Sequence, residues 1–226
     1  MYDIVFISYQ EPNAEKNFKK IKERFPLVKR VHGVKGIHQA HIAAAKKCMT
    51  NMFWIVDGDA VILDEFNFDH VVPDHQLDHV HVWRAKNSVN GLVYGYGGVK
   101  LFPRILTINM DTSKPDMTTS ISGKFKAMPE TSNLTVFNTD PFNAWKSAFR
   151  ECVKLSSKVI DRQKDKETDR RLKIWETKGI RSDFGEYCIR GAIEGTEYGK
   201  TYKNSPNDLR LINDFDWLQD RFNGTI

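Results

Sequence analysis

The stretch Trp54-Ile55-Val56-Asp57-Gly58-Asp59-Ala60 runs an apolar segment straight into two carboxylates separated by one glycine. Carboxylate oxygens are hard donors, so the pair suits Mg²⁺ or Mn²⁺, ions that keep positions open for phosphate oxygens. Gly58 has no Cβ and lets backbone and ligand approach closely. At the carboxyl end of a strand in an open α/β sheet, such a pair would border the ligand crevice. A cation bridging a diphosphate there would offset charge building on a leaving group. The same residues also fit an Asp-Gly turn closing a hairpin.

The elements needed to place the pair can be read on either side of it. Residues 3–9 are rich in β-branched and aromatic types with little alternation, which predicts a buried parallel strand. Asn13 is a candidate cap for a helix carrying Phe18, Ile21 and Phe25, stopped by Pro26. A short strand near Val28–Val31, an Ala-rich helix over His38–Met49 and a buried strand over Met52–Val56 complete a β-α-β-α-β order, the signature of a parallel sheet with right-handed crossovers. Asp78–Trp83 reads as a strand and Gly91–Leu101 as a glycine-interrupted hairpin or loop, while 107–136 carries no clear period. Residues 142–160 place Trp145, Ala148, Phe149, Cys152, Leu155, Val159 and Ile160 on one helical stripe, and helix is expected again towards Lys178.

A chain of 226 residues, 40% hydrophobic, is expected to form one domain. Its opening residues lack the features of a signal peptide, and no apolar run approaches the roughly 20 residues of a membrane span. Three scattered cysteines, never as Cys-x-x-Cys, suggest neither a disulfide framework nor a zinc cluster. The expectation is a soluble, cytoplasmic protein. Net charge is +5, and from Lys146 to Arg181 twelve basic side chains face six acidic ones, so the positive excess is confined to that stretch. Within it Lys146, Arg150, Lys154, Lys158 and Arg162 recur every fourth residue, which predicts a basic ridge able to meet phosphates, against the alternative of an ordinary solvated face.

The order of apolar strand, Asp57-Gly58-Asp59 and a second β segment in a βαβ chain resembles the GT-A class of nucleotide-sugar glycosyltransferases, mainly over residues 3–100. The resemblance implies a Rossmann-like α/β fold with a mixed, mostly parallel sheet flanked by helices in a single domain over 1–226. It also implies a donor half over about 1–100 and an acceptor half over about 101–226. Asp57 and Asp59 would hold Mn²⁺ or Mg²⁺. The class cups the nucleotide base with a polar loop after its first strand, where this chain has Ser8-Tyr9-Gln10-Glu11-Pro12. Lys35 would contact phosphate, and His38 or His41 the donor, although a helical histidine is commonly only a partly exposed surface residue.

Tyr94-Gly95-Tyr96-Gly97-Gly98 resembles a wall between donor and acceptor in galactosyltransferases, or else a glycine-rich hairpin with core tyrosines. Those enzymes follow the loop with an acidic pair, whereas this chain has Val99-Lys100. If the reaction inverts, a base must come from elsewhere, and Asp140 is the candidate; Asp140-Pro141 equally fits a helix N-cap followed by proline at the first helical position. A late histidine often completes the metal site of the class. Since no histidine follows His81, that ligand is missing or replaced by a carboxylate such as Asp183 or Glu186.

The segments 31–38, 56–59, 82–84 and 94–103 are together similar to small glycosyltransferases of tailed bacteriophages, of the TET-associated type that acts on hydroxymethylated pyrimidines. That similarity implies transfer of a sugar, glucose or arabinose among the options, from a UDP-sugar to the hydroxyl of 5-hydroxymethylcytosine in double-stranded DNA, in the host cytoplasm. Trp83, Tyr94 and Tyr96 would stack on an extruded base, with Gly97 and Gly98 lining the acceptor side. Arg84 would pair with a phosphate, and Lys146, Arg150, Lys154 and Lys158 would carry the DNA backbone. For Trp83 the competing reading is a core aromatic. Two other functions stay open: a glycosyltransferase acting on a glycan, lipopolysaccharide or protein, and a non-catalytic basic protein that binds nucleic acid.

Overall fold

The computed structural model describes residues 1–95, 97–158 and 164–225. The apolar runs become strands covered on both faces. In β1 (Asp3–Ser8), which leads into helix α1 (Ala14–Arg24), Ile4 and Phe6 enter one core cluster and Val5 the opposite one. Strand β2 (Lys29–His32) and helix α2 (Ile37–Lys46) follow, and β3 (Met52–Asp57) alternates in the same way, Met52, Trp54 and Val56 on one side and Phe53 and Ile55 on the other. Period-2 alternation thus serves two apolar layers, which is why the sequence shows unbroken hydrophobic runs. Helix α1 covers the first face through Ala14 and Ile21, and α2 the second through Ala44 and Ala45. Burying each large side chain such as Trp54 contributes roughly 1.5–3 kcal/mol.

Beyond β3 the chain forms β4 (Ala60–Ile62), β5 (Val80–Asn87), β6 (Val93–Tyr94), β7 (Val99–Pro103), α3 (Arg104–Ile108), α4 (Met117–Ile121) and β8 (Phe125–Thr135). The sheet has eight strands in the order β2-β1-β3-β7-β5-β8-β4, with β6 paired to β5. β1–β2, β1–β3 and β5–β8 are parallel, whereas β3–β7, β5–β7, β5–β6 and β4–β8 are antiparallel. The fold is α/β with a mixed sheet flanked by helices, but it is not mostly parallel. The correction arises because β7 enters beside β3 in reverse direction, a pairing no local pattern specifies.

The chain divides into two compact units: residues 1–87, 93–112 and 117–136, which carry the sheet, and residues 88–92, 113–116 and 137–226. The second unit is helical: α5 (Pro141–Ser157), α6 (Asp165–Thr177), α7 (Gly185–Thr201), α8 (Pro206–Arg210) and α9 (Phe215–Asn223). Its core gathers Trp145, Phe149, Val153, Tyr198, Leu209, Ile212 and Leu218. No helix among the described residues is long and apolar enough to cross a membrane.

Candidate functional site

Strand order reverses at β1. From β1 the chain passes through α1 to β2 on one side and then through α2 to β3 on the other, with the two helices on opposite faces. The loop leaving β1 thus enters a helix on one face and the loop leaving β2 a helix on the other, while β3 runs directly into the Asp57-Gly58-Asp59 turn. Ile7 stands beside Asp57 in register, so Ser8-Tyr9 and Asp57-Gly58-Asp59 share one edge of the sheet.

The carboxylate turn does not close a hairpin. β3 is flanked by β1 and β7, and β4 pairs with β8. Four contacts hold the turn in place: Asn17 of α1 donates to the Gly58 carbonyl at 3.0 Å, Val136 N–H to the Asp59 carbonyl at 2.8 Å, Asp57 N–H to the Gly98 carbonyl at 2.8 Å, and Gly98 N–H to Asp57 Oδ2 at 3.0 Å. A Cβ on Gly58 would lie 2.8 Å from Glu11 Oε2 and 3.1 Å from Ser8 Cβ, so a larger residue there would require the Glu11 side chain to shift. Gly98 has φ +91° and a Cβ there would meet the buried Asn133 amide at 2.2 Å.

Charge is concentrated on this edge. Lys100 Nζ, on a nearly buried side chain, lies 2.7 Å from Asp57 Oδ2, while the Asp57 side chain is 32% exposed. Burial pushes the Asp57 carboxyl up, but the Lys100 and His41 charges and the bonds from Lys100 and Gly98 outweigh it and hold Asp57 below the usual carboxylate range. Asp59 has the opposite fate. Burial, then the like charges of Asp57 and Glu11, push it up to about 7 despite Lys100. His41 is buried, and desolvation drives it down to about 4 against the pull of Asp57, so it is neutral at pH 7. Its Nδ1 bonds the Ile37 carbonyl at 2.7 Å, which fixes the proton there, and its buried Nε2 has no partner among the described residues.

Among the described residues no group of three or more His, Cys, Asp or Glu side chains is arranged to hold a metal ion. Asp183 and Glu186, the carboxylates that could replace a late histidine, belong to the second unit. What the turn offers is Asp57 Oδ1, which receives no hydrogen bond among the described residues, and the partly exposed Asp59. Two oxygen donors beside open positions fit Mg²⁺ or Mn²⁺, which retain water or phosphate ligands, and not the closed four-ligand shell of structural zinc.

The remaining expectations fare unevenly. Ser8 is buried behind Gly58 and bonded to His32 at 2.9 Å, while Tyr9 is half-buried with its N–H on Glu11 Oε2 at 2.7 Å. Lys35 is exposed before α2. His38 and His41 are not surface histidines; His38 Nε2 lies 3.2 Å from Ser120 Oγ of α4. Trp83 is fully buried against Trp54 at 4.5 Å between ring centroids, with Nε1 donating to Glu130, and Tyr94 is buried too. Neither ring presents a face to an acceptor, which corrects their stacking role. Arg84 is exposed on β5, Gly97 lies 3.8 Å, from its would-be Cβ, to Asp57 Oδ2, and Tyr96 lies outside the described residues.

In the second unit, Asp140 caps α5: Oδ1 accepts from Asn143 N–H at 2.8 Å, and Oδ2 accepts from Asn143 Nδ2 and Thr139. Burial raises its pKa, but those bonds and the nearby Lys146 outweigh it and lower the pKa below the usual range. Both oxygens accept hydrogen bonds at the cap, the geometry that the capping reading expects. The basic ridge is not a free stripe either. Lys146 bonds Asn143 and lies over the Phe215 ring, Arg150 donates to the Ile212 carbonyl at 2.7 Å, and Lys154 faces the buried Asp116 at 3.8 Å. Lys158 is exposed and paired with Asp165, and Val159, Ile160 and Arg162 lie outside the described residues. Compared with models of protein families and with curated proteins, the chain matches none.

Sequence reasoning missed Lys100, Asn17 and Asn133, and named Glu11 only as part of the polar loop after β1. Lys100 had been noted only as a departure from an acidic pair, and its separation of 43 residues from Asp57 gives no local signal.

Proposed function

We propose that the chain is a metal-dependent glycosyltransferase of the GT-A type. Asp57 and Asp59 hold Mn²⁺ or Mg²⁺ against the diphosphate of a UDP-sugar, and the acceptor is the hydroxyl of 5-hydroxymethylcytosine in double-stranded DNA. The observation that carries the reading is the pair of carboxylates at the carboxyl end of β3: one has an oxygen with no hydrogen bond among the described residues, and the other is pushed up to about 7 by burial and then by the like charges of Asp57 and Glu11, which a bound cation would offset. When bound, the ion supplies charge neutralisation to the leaving diphosphate. The chain's own part is to fix the turn through Asn17, Gly98 and Val136 and to pack Gly58 closely against Ser8 and Glu11.

Support for a DNA acceptor is the positive excess over 146–181 and the resemblance to phage enzymes acting on modified pyrimidines. A second reading keeps the donor and replaces DNA by a glycan, lipopolysaccharide or protein. It is favoured by the burial of Trp83 and Tyr94 and by the engagement of Lys146, Arg150 and Lys154. The test is to incubate the purified protein with Mn²⁺, a panel of UDP-sugars and DNA with or without 5-hydroxymethylcytosine, then weigh the digested nucleosides. A hexose or pentose mass on the hydroxymethylated nucleoside alone supports the first reading. UDP release with no change in either DNA supports the second.

A further inference from the structure

We propose that Lys100 is a built-in counter-cation that couples metal binding to nucleotide binding at the carboxylate turn. The inference rests on the metal and UDP-sugar reading above and deepens it by naming the species the site accepts: the metal–nucleoside diphosphate complex, in preference to the bare ion. Lys100 Nζ sits 2.7 Å from Asp57 Oδ2 on a side chain only 10% exposed, so the ammonium is fixed and poorly screened. The Gly98 N–H bonds the same oxygen at 3.0 Å, leaving Oδ1 of Asp57 without a hydrogen bond among the described residues. An ion on Oδ1 would lie across one carboxylate from a positive charge, and in a partly buried site two like charges at that range repel strongly. One of the two aspartates is therefore already compensated before any ion arrives. A diphosphate reverses the balance, because its oxygens attract both the ion and the ammonium. Ion and nucleotide then strengthen each other's binding by the same factor, as linkage requires.

The experiment is titration of Mn²⁺, followed by electron paramagnetic resonance, into the 226-residue chain with and without saturating UDP, for the wild type, Lys100→Met and Lys100→Arg, each checked for a cooperative thermal melt. The expected result is that UDP tightens Mn²⁺ binding by about tenfold or more in the wild type and in Lys100→Arg. In Lys100→Met the bare ion binds more tightly than in the wild type, and most of the UDP effect disappears. A purely structural lysine would weaken both measurements together. The proposal is overturned if Lys100→Met keeps the wild-type enhancement, or if Lys100→Arg loses it while still folded. Should the wild type bind no Mn²⁺ with or without UDP, the metal reading itself falls, a result distinct from either of those.

Discussion

The side-chain amide of Asn17, buried in α1, donates to the carbonyl of Gly58 at 3.0 Å, tying the first helix to the turn between the two carboxylates. Removing one partner of a buried hydrogen bond leaves the other unsatisfied, at about 1–3 kcal/mol. Asn17→Leu is expected to lower stability by that amount in urea denaturation and to weaken Mn²⁺ binding. A variant with unchanged midpoint and unchanged Mn²⁺ affinity would count against the role of Asn17.

Asp59 should trade stability for ion binding. Its folded pKa of about 7 lies above the unfolded value near 3.8, so its proton is held more tightly in the fold. That contribution is fully present below about pH 4, declines as pH rises, and is gone above about pH 7. In metal-free buffer at pH 8, Asp59→Asn is expected to gain stability on the order of 1–3 kcal/mol, and to lose Mn²⁺ binding. A destabilised Asp59→Asn at pH 8 would place the carboxylate among ordinary structural groups.

Helices α5 and α7 approach along a glycine ladder. A Cβ on Gly191 would stand 2.3 Å from the Trp145 carbonyl oxygen, and one on Gly195 2.4 Å from that of Phe149. Alanine would normally favour helix by about 1 kcal/mol over glycine, but here the helices must separate. Gly195→Ala is expected to cost about 1–3 kcal/mol, whereas Gly123→Ala, with open space around it, should be near neutral. Equal thermal midpoints for the two variants would rule out the close approach.

The partners of the basic ridge within the second unit predict a structural effect. Arg150→Ala breaks bonds to the Ile212 carbonyl and Asn213. It is expected to lower stability by about 1–3 kcal/mol and to leave the salt dependence of any DNA affinity unchanged. A flatter slope of log affinity against log salt, with stability intact, would return Arg150 to the phosphate contacts.

The β-α-β-α-β core was legible because its apolar runs must fill two layers, and the Asp57-Gly58-Asp59 turn because it terminates one of them. Asp140-Pro141 was equally plain, since the cap needs only local geometry. Asn13 looked like a cap by the same rule, yet its side chain donates to Val136 instead. β8 was hidden because Ser132 and Asn133 are buried polar residues satisfied by partners distant in sequence or by each other. Trp83 and Tyr94 misled because the same rings serve cores and binding faces, and only burial distinguishes them.

The most direct measurement is calorimetric titration of UDP into the wild type and Asp59→Asn, each with Mn²⁺ and again with chelator. The account predicts binding to the wild type in Mn²⁺ that is lost both with chelator and in the folded variant. UDP binding of equal strength in all four conditions would contradict it.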